Sequence, residues 1–185
     1  MDNKDFIRQD NNYRTLKAFQ KAECVYDVTY YFANKFLQKG DRTIDQMVQA
    51  ARSGKQNIAE GCTDSTMSWE MELKLLNVAM GSLKELLEDY HDYLRVHELP
   101  IWALDSEKGI QCRQVCMKHN DSAYYREAIK VRGDEAIANI AITLIHQCDT
   151  LLRKLIEHCK HDFLVHGGSR EEMSRARIKY RNKHK

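Results

Sequence analysis

Apolar residues recur every three or four positions along most of the chain, which is the spacing of one face of an α-helix. The clearest series predicts one long helix, and its members are Trp69, Leu73, Leu76, Met80, Leu83, Leu87, Tyr90 and Leu94. No stretch alternates apolar and polar residues strongly enough to predict a β-strand. The sequence therefore predicts an all-α protein.

Three further segments carry the same spacing, and with the first they predict an up-and-down four-helix bundle. The first helix is expected from about residue 12 to 39, with Gly40 ending it. Two others are expected at about residues 44–60 and 134–161. The inward-facing residues would be Leu16, Phe19, Ala22, Tyr26, Tyr30, Ala33 and Leu37 in the first, Ile44, Met47, Ala51, Gly54 and Ile58 in the second, and Ile137, Ile140, Leu144, Cys148, Leu151 and Leu155 in the fourth.

Residues 98–133 interrupt this rhythm and predict a long crossover between the third and fourth bundle helices. Pro100 breaks the preceding helix, and Asp105 or Ser106 could cap a short helix that reaches His119. The remainder is expected to be a loop with at most one more short helix. Long connections of this kind often form functional sites or interfaces.

A separate C-terminal helix is predicted in residues 167–185, after a bundle domain of residues 1–166. Gly167-Gly168 breaks the fourth helix, and the following Ser-Arg-Glu-Glu fits the S-x-x-E capping box. A narrow apolar stripe and a basic surface are expected on this helix. The stripe is Met173, Ala176 and Tyr180, and the basic residues are Arg170, Arg175, Arg177, Lys179, Arg181, Lys183 and Lys185.

Charge is unevenly distributed, although the net charge of the 185 residues is only +2. Residues 170–185 hold seven Lys/Arg and two Asp/Glu, which leaves 22 Lys/Arg against 25 Asp/Glu in the rest. A mildly acidic body with a basic tail favours a polyanionic partner, RNA or DNA. The alternative is a solvated surface helix that happens to be basic.

The remaining composition predicts a cytoplasmic protein. No apolar run reaches the roughly 20 residues that span a bilayer, so no membrane association is expected. The N-terminus has no apolar signal-peptide core. The six cysteines are therefore interpreted as reduced thiols.

Gly54-Lys55 is not a phosphate-binding loop, because the motif G-x-x-x-x-G-K-[ST] fails at Gln49 and Gln56. Gly54 lies on the apolar stripe of the second helix and is expected to let another helix approach closely. Gly61 lies where that helix is predicted to stop and fits a left-handed C-cap.

Two matched motifs give a resemblance to a known family. Residues 57–61 read Asn-Ile-Ala-Glu-Gly, and residues 79–86 read Ala-Met-Gly-Ser-Leu-Lys-Glu-Leu. This pair resembles the signature of the 23S rRNA intervening-sequence proteins, which are similar to the accessory variability protein of diversity-generating retroelements. The resemblance covers roughly residues 12–160. Residues 99–102, 144–147 and 162–173 resemble a subgroup with a C-terminal suffix.

The resemblance implies a four-helix bundle that assembles as a ring-like homopentamer, and it implies no reaction. The retroelement protein is strongly basic, whereas this body is mildly acidic. The motif residues are interpreted as structural rather than as a ligand site. They are Asn57, Glu60, Gly61, Gly81, Ser82 and Glu85.

Candidate chemistry is sparse. Cys112, Cys116 and His119 share one face of the expected crossover helix and could bind metal, with Cys159, His158 or His161 as partners. The alternative is that these cysteines are small buried apolar groups. Catalysis and cofactor binding are not expected, because no nucleophile has a base in a recognisable pattern. Paired carboxylates such as Glu70 and Glu72 are interpreted as solvated.

Aromatic residues of the crossover could stack on bases or cover the end of the bundle. They are Trp102, Tyr124 and Tyr125. The leading hypothesis is a non-enzymatic oligomeric protein that binds nucleic acid or a nucleoprotein through its basic tail. The alternatives are a protein-interaction module whose tail docks on a neighbouring subunit, and a metal-binding bundle.

Overall fold

Every regular element in the described part of the chain, residues 12–63 and 69–183 of a computed structural model, is helical. The all-α prediction is confirmed. A 3₁₀ turn at Tyr13–Thr15 precedes seven α-helices. These are α1 (Lys17–Phe36), α2 (Arg42–Thr63), α3 (Trp69–Val96), α4 (Glu107–Lys118), α5 (Ser122–Ala128), α6 (Asp134–His166) and α7 (Ser169–Lys183).

The four long helices α1, α2, α3 and α6 enclose the hydrophobic core. α1 lies against α2 and α6, and α3 lies against the same two helices. At the centre, the ring of Phe32 stands 5.0 Å from that of Tyr90 and 4.8 Å from that of Tyr93. Burial of the whole set of apolar core side chains is the dominant contribution to the free energy that favours folding.

The apolar stripe predicted for α3 is confirmed, since all eight of its members are buried or half-buried. The stripe predicted for α1 is displaced: Tyr30, expected inside, is 54% exposed, while Val25, Thr29 and Phe32 are fully buried. The reason is that α5 of the crossover also packs on α1. α1 is therefore buried over a wider arc than a two-neighbour helix would be.

Two helix ends differ from their predictions. α1 ends at Phe36 rather than near residue 39, and Gly40 takes a φ of +92° in the turn that follows. α2 continues through Gly61 to Thr63, so the prediction of a left-handed C-cap at Gly61 is wrong. A Cβ on Gly61 would lie 3.5 Å from the backbone oxygen of Glu72. This distance is an ordinary van der Waals contact, so the first turn of α3 lies beside Gly61 without excluding a side-chain carbon there.

The crossover contains the expected helix and one more. Ser106 caps α4, because its hydroxyl oxygen accepts a hydrogen bond from the backbone N–H of Gly109 at 3.1 Å. Asp121 caps α5 by accepting from the N–H of Ala123 at 2.9 Å. None of the helices in the described ranges is long and apolar enough to cross a membrane.

The close approach predicted at Gly54 is confirmed. A Cβ on this residue would lie 2.8 Å from Leu83 Cδ2, inside van der Waals contact. Beside it, the hydroxyls of Ser53 and Ser82 hydrogen-bond across the α2–α3 contact at 2.9 Å. Gly81, by contrast, is exposed, and a Cβ there would meet nothing within 4 Å.

Gly54→Ala and Gly81→Ala form a matched pair with opposite expected effects on stability. Both gain about 1 kcal/mol of helix propensity. Only Gly54→Ala must displace the buried Leu83 side chain, at a cost of about 1–3 kcal/mol. Urea unfolding should therefore show Gly81→Ala to be stabilising and Gly54→Ala to be neutral or destabilising. Equal stabilisation by both would contradict the close contact.

Candidate nucleic-acid interface and crossover site

The basic tail forms α7, which is separated from α6 by Gly167 and Gly168. Gly167 takes a φ of +76°, and its N–H donates to the backbone oxygen of Phe163 at 2.8 Å. The N–H of Gly168 donates to Glu171 Oε2 at 3.2 Å, so this carboxylate serves the N-terminus of α7. Within the described chain, α7 does not pack along another helix.

Five basic side chains of α7 are exposed: Arg175, Arg177, Lys179, Arg181 and Lys183. No acidic residue occurs between positions 173 and 183. Arg170 lies in the first turn of α7, but its side chain falls outside what the structure describes, as does the whole of Lys185. The described cations span nine residues, and the eight steps between the first and the last are about 12 Å of helix.

The apolar residues expected to form a stripe on α7 are also largely exposed. Met173 is 47% and Tyr180 67% exposed, whereas Ala176 is half-buried. Ile178 adds a further exposed apolar side chain, and Leu164 and Val165 do so at the end of α6. The tail thus presents both positive charge and apolar surface to its surroundings.

The motif residues of α2 and α3 do not converge on one site. Asn57 Nδ2 donates to the backbone oxygen of Ser53 at 2.8 Å, and Glu60 is exposed at the next turn. On α3, Ser82 faces α2, while Gly81 and Glu85 face outward. Some of these motif residues therefore contribute to the packing of α2 on α3, and the others lie on the exposed surface.

The crossover contains a buried polar centre that the sequence did not reveal, built around Lys21 of α1. This lysine is 2% exposed, and its ammonium donates to the backbone oxygens of Cys116 and of His119, the latter at 3.0 Å. These carbonyls belong to the last turn of α4, where the helix dipole is negative. Burial lowers the pKa of Lys21, while the nearby thiols of Cys24 and Cys116 act in the opposite direction.

Two of the three residues proposed as metal ligands come together here. Cys112 Sγ lies 4.0 Å from Cys116 Sγ and 3.4 Å from Thr143 Oγ1. The ring of His119 instead stacks on Tyr124, with 3.7 Å between centroids. Cys159 is remote from this pair and donates to Glu72 Oε1 at 3.1 Å. In the described ranges, no group of three His, Cys, Asp or Glu side chains could hold a metal ion.

The two thiols differ in acidity. The thiol of Cys116 hydrogen-bonds to Cys112 and lowers the pKa of Cys112 to about 7, against the opposing effect of burial. Thr143 and the charge of Arg132 also contribute to this lowering of the Cys112 pKa. The pKa of Cys116 is raised, because it donates to Cys112 and is itself buried. The pair therefore loses its first proton readily and holds the second.

Two cavities flank Trp102 in the crossover. One, of about 170 Å³, is lined by both thiols, by Tyr124 and Tyr125, and by Lys108 and Arg132 among others. The other, of about 500 Å³, is lined partly by His91, Arg113 and His146. Trp102 is fixed between them, since its indole N–H donates to Glu135 Oε1 at 2.7 Å.

The crossover aromatics are not a free stacking platform for bases. Tyr125 is 2% exposed, and its hydroxyl donates to the backbone oxygen of His119 at 3.0 Å. The interpretation of Tyr125 as a base-stacking residue is therefore wrong. Tyr124 is already stacked on His119, and both Tyr124 and Trp102 are half-buried. The interpretation that they cover the end of the helical body fits this geometry better.

No protein-family model, no curated protein and no solved structure matches the chain.

Proposed function

We propose that this protein is a non-enzymatic accessory protein that binds nucleic acid through α7. The observation that carries the proposal is the set of five exposed cations on α7, a helix that does not pack along another one in the described chain. On duplex DNA, phosphates supply one negative charge per about 1.7 Å of helix axis. The basic stretch of α7, about 12 Å long, therefore matches the spacing of several phosphates.

The net charge of the rest of the protein supports α7 as the place where nucleic acid binds. Residues outside 170–185 carry an excess of three acidic side chains, by the counts given above. Such a body repels a polyanion, so binding would be confined to the tail. Phosphate contacts of this kind are independent of base sequence. The proposed activity is therefore backbone binding with little sequence preference.

We also propose that α1, α2, α3 and α6 form a four-helix bundle that self-associates as a homopentamer. Their closed cycle of packing contacts supports the bundle. The outer face of α3 supports self-association, because Met71 and Val78 are each 44% exposed and Gly81 continues the same face. A ring would repeat α7 around its axis, so weak single contacts would be strengthened by effective concentration.

A second candidate function is a protein-interaction module without nucleic-acid binding. It is favoured by the exposed apolar side chains of Leu164, Met173 and Ile178. In this case α7 would dock on a neighbouring subunit or a partner protein, and its cations would only keep the helix solvated.

The test measures binding of duplex DNA and of single-stranded RNA against salt concentration. Four proteins are compared: the full chain, a chain ending at Gly168, a charge variant and an apolar variant. The charge variant replaces Arg175, Arg177, Lys179, Arg181 and Lys183 by Gln. The apolar variant replaces Met173 and Ile178 by Ser and serves as the matched control.

The full chain should bind duplex DNA with a log–log salt slope of about −4.5, since each of five phosphate contacts contributes about −0.9. Affinity would then fall about 500-fold between 50 and 200 mM salt. The truncated chain and the charge variant should lose this binding, whereas the apolar variant should keep it. If the charge variant binds as the full chain does, the proposal fails. Loss of self-association in the apolar variant alone would support the interaction module.

A further inference from the structure

The smaller crossover cavity brings two thiols side by side on one helix. Cys112 and Cys116 are one helical turn apart on α4, so their side chains share a face. Their sulfurs stand 4.0 Å apart, and both line the cavity of about 170 Å³. Both are free thiols. We propose that this pair is a two-coordinate binding site for a monovalent thiophilic cation, Cu(I) in particular.

The distance between the sulfurs suits one bridging ion. Metal–thiolate bonds are about 2.3 Å for zinc, so two sulfurs bridged in a straight line stand about 4.6 Å apart. The observed Sγ–Sγ distance of 4.0 Å is shorter than this value. A small rotation of the two cysteine side chains would lengthen it to about 4.6 Å. The backbone of α4 would not have to move.

The ligand set selects the kind of ion. Zinc in a structural site takes four protein ligands, and the described residues offer no third His, Cys, Asp or Glu beside the pair. The hydroxyl of Thr143, which is a neutral group, lies 3.4 Å from Cys112 Sγ. Soft thiolates prefer Cu(I) among the common ions, and Cu(I) is stable with two sulfur ligands. The site therefore excludes zinc by its low ligand number.

The positive charges around the site suit a Cu(I) complex with two thiolates, which is an anion. One Cu(I) ion would replace both thiol protons, and the two-thiolate complex would carry a net charge of −1 with two protons released. The ammonium of Lys21 is anchored on the carbonyl oxygen of Cys116 itself. The cavity wall adds Arg132 and Lys108, of which Lys108 is paired with Glu135 at 3.2 Å. Cations near a buried anion reduce its desolvation cost.

The inference is independent of the proposed nucleic-acid binding, because the site lies in the crossover and shares no residue with α7. It also differs from the three-ligand site considered as an alternative in the sequence analysis, since His119 is stacked on Tyr124 and takes no part. The same chemistry applies to Ag(I), which serves as a redox-inert probe.

The test is a Cu(I) titration of the reduced full chain under exclusion of air, in competition with a chromogenic Cu(I) chelator. One ion should bind per chain, and X-ray absorption should show two sulfur ligands. Cys112→Ser and Cys116→Ser should each weaken binding by more than about 100-fold, the upper range for losing even an outer-shell partner. Cys62→Ser, on α2, is the matched control and should bind as the unmodified chain does.

The second measurement is the change in Tm when Ag(I) is added, which also applies to a variant of reduced stability. One equivalent of Ag(I) should raise the Tm of the unmodified chain and of Cys62→Ser, because a ligand of the native state stabilises it. Cys112→Ala, which keeps a small apolar group at this position, should show no such rise. The proposal is overturned if Cu(I) binds equally after loss of either thiol, if three sulfurs surround the ion, or if the unmodified chain does not compete with the chelator.

Discussion

Lys21→Met is expected to lower the free energy of unfolding by about 3 kcal/mol, or more than 100-fold in the folding equilibrium. Methionine fills a similar volume but donates no hydrogen bond. The backbone oxygen of Cys116 would lose the Lys21 donor in a buried setting, and that of His119 would keep only the Tyr125 hydroxyl. An unsatisfied buried acceptor costs about 1–3 kcal/mol, and bonds to a charged donor are the stronger ones.

The matched control is Lys17→Met, since Lys17 is an exposed lysine on the same helix. Its effect should stay within about 0.5 kcal/mol. Urea unfolding of both variants measures the difference. Equal stabilities for Lys21→Met and the unmodified chain would mean that the ammonium contributes no net stabilisation at the end of α4.

The same substitution should also change how stability depends on pH. The pKa of Lys21 is lowered from 10.5 in the folded protein, so the unfolded chain binds more protons at this position between the two values. This lysine therefore makes stability increase as pH rises toward 10.5. The facing thiols of Cys24 and Cys148, whose pKa values burial raises to about 12, keep their protons over that range. Lys21→Met should lack the increase.

Asn139→Ala is expected to destabilise the fold by about 3 kcal/mol, because one buried amide holds the start of the crossover to α6. Asn139 is 3% exposed. Its Oδ1 accepts from the N–H of Trp102 at 2.8 Å, and its Nδ2 donates to the backbone oxygen of Pro100 at 3.0 Å. Alanine would leave both loop groups without this partner.

Asn77→Ala is the control for this substitution. Asn77 is exposed, and its Nδ2 donates to the backbone oxygen of Leu73 at 2.7 Å, the same one-turn bond that Asn139 makes to Glu135 at 2.8 Å. It therefore isolates the contribution of the loop contacts. Thermal and urea unfolding should show a large loss only for Asn139→Ala. Comparable losses for both variants would assign the effect to the helix rather than to the crossover.

The long helices could be predicted from sequence because the spacing of apolar residues that indicates a helix is a local pattern. Spacing of apolar residues alone identified α3, and turn chemistry placed the start of α4 at Asp105 or Ser106, of which Ser106 is the cap. Gly54 could be interpreted correctly because a glycine on an apolar stripe has few other uses. Gly61 was misinterpreted because a glycine near the end of an apolar stripe suits a C-cap, whereas α2 continues two residues further to Thr63.

The centre of the crossover could not be predicted, since its partners are distant in sequence. Lys21 lies outside the stripe predicted for α1, but Ala18 and Val25, three residues before it and four after it, are apolar, and this was the available signal. A lysine there is normally interpreted as the polar edge of the stripe. Its acceptors lie on α4, and nothing in the local pattern of either helix indicates the other.

The bond between Lys21 and Cys116 has a kinetic consequence, because it joins residues 95 positions apart. The Ser53–Ser82 contact closes a segment of only 29 positions. Loop-closure entropy makes the longer closure costlier by about 1 kcal/mol. Non-local contacts also slow folding when they form in the rate-limiting step. We therefore expect the α2–α3 hairpin to form early and α4 to reach its native position later.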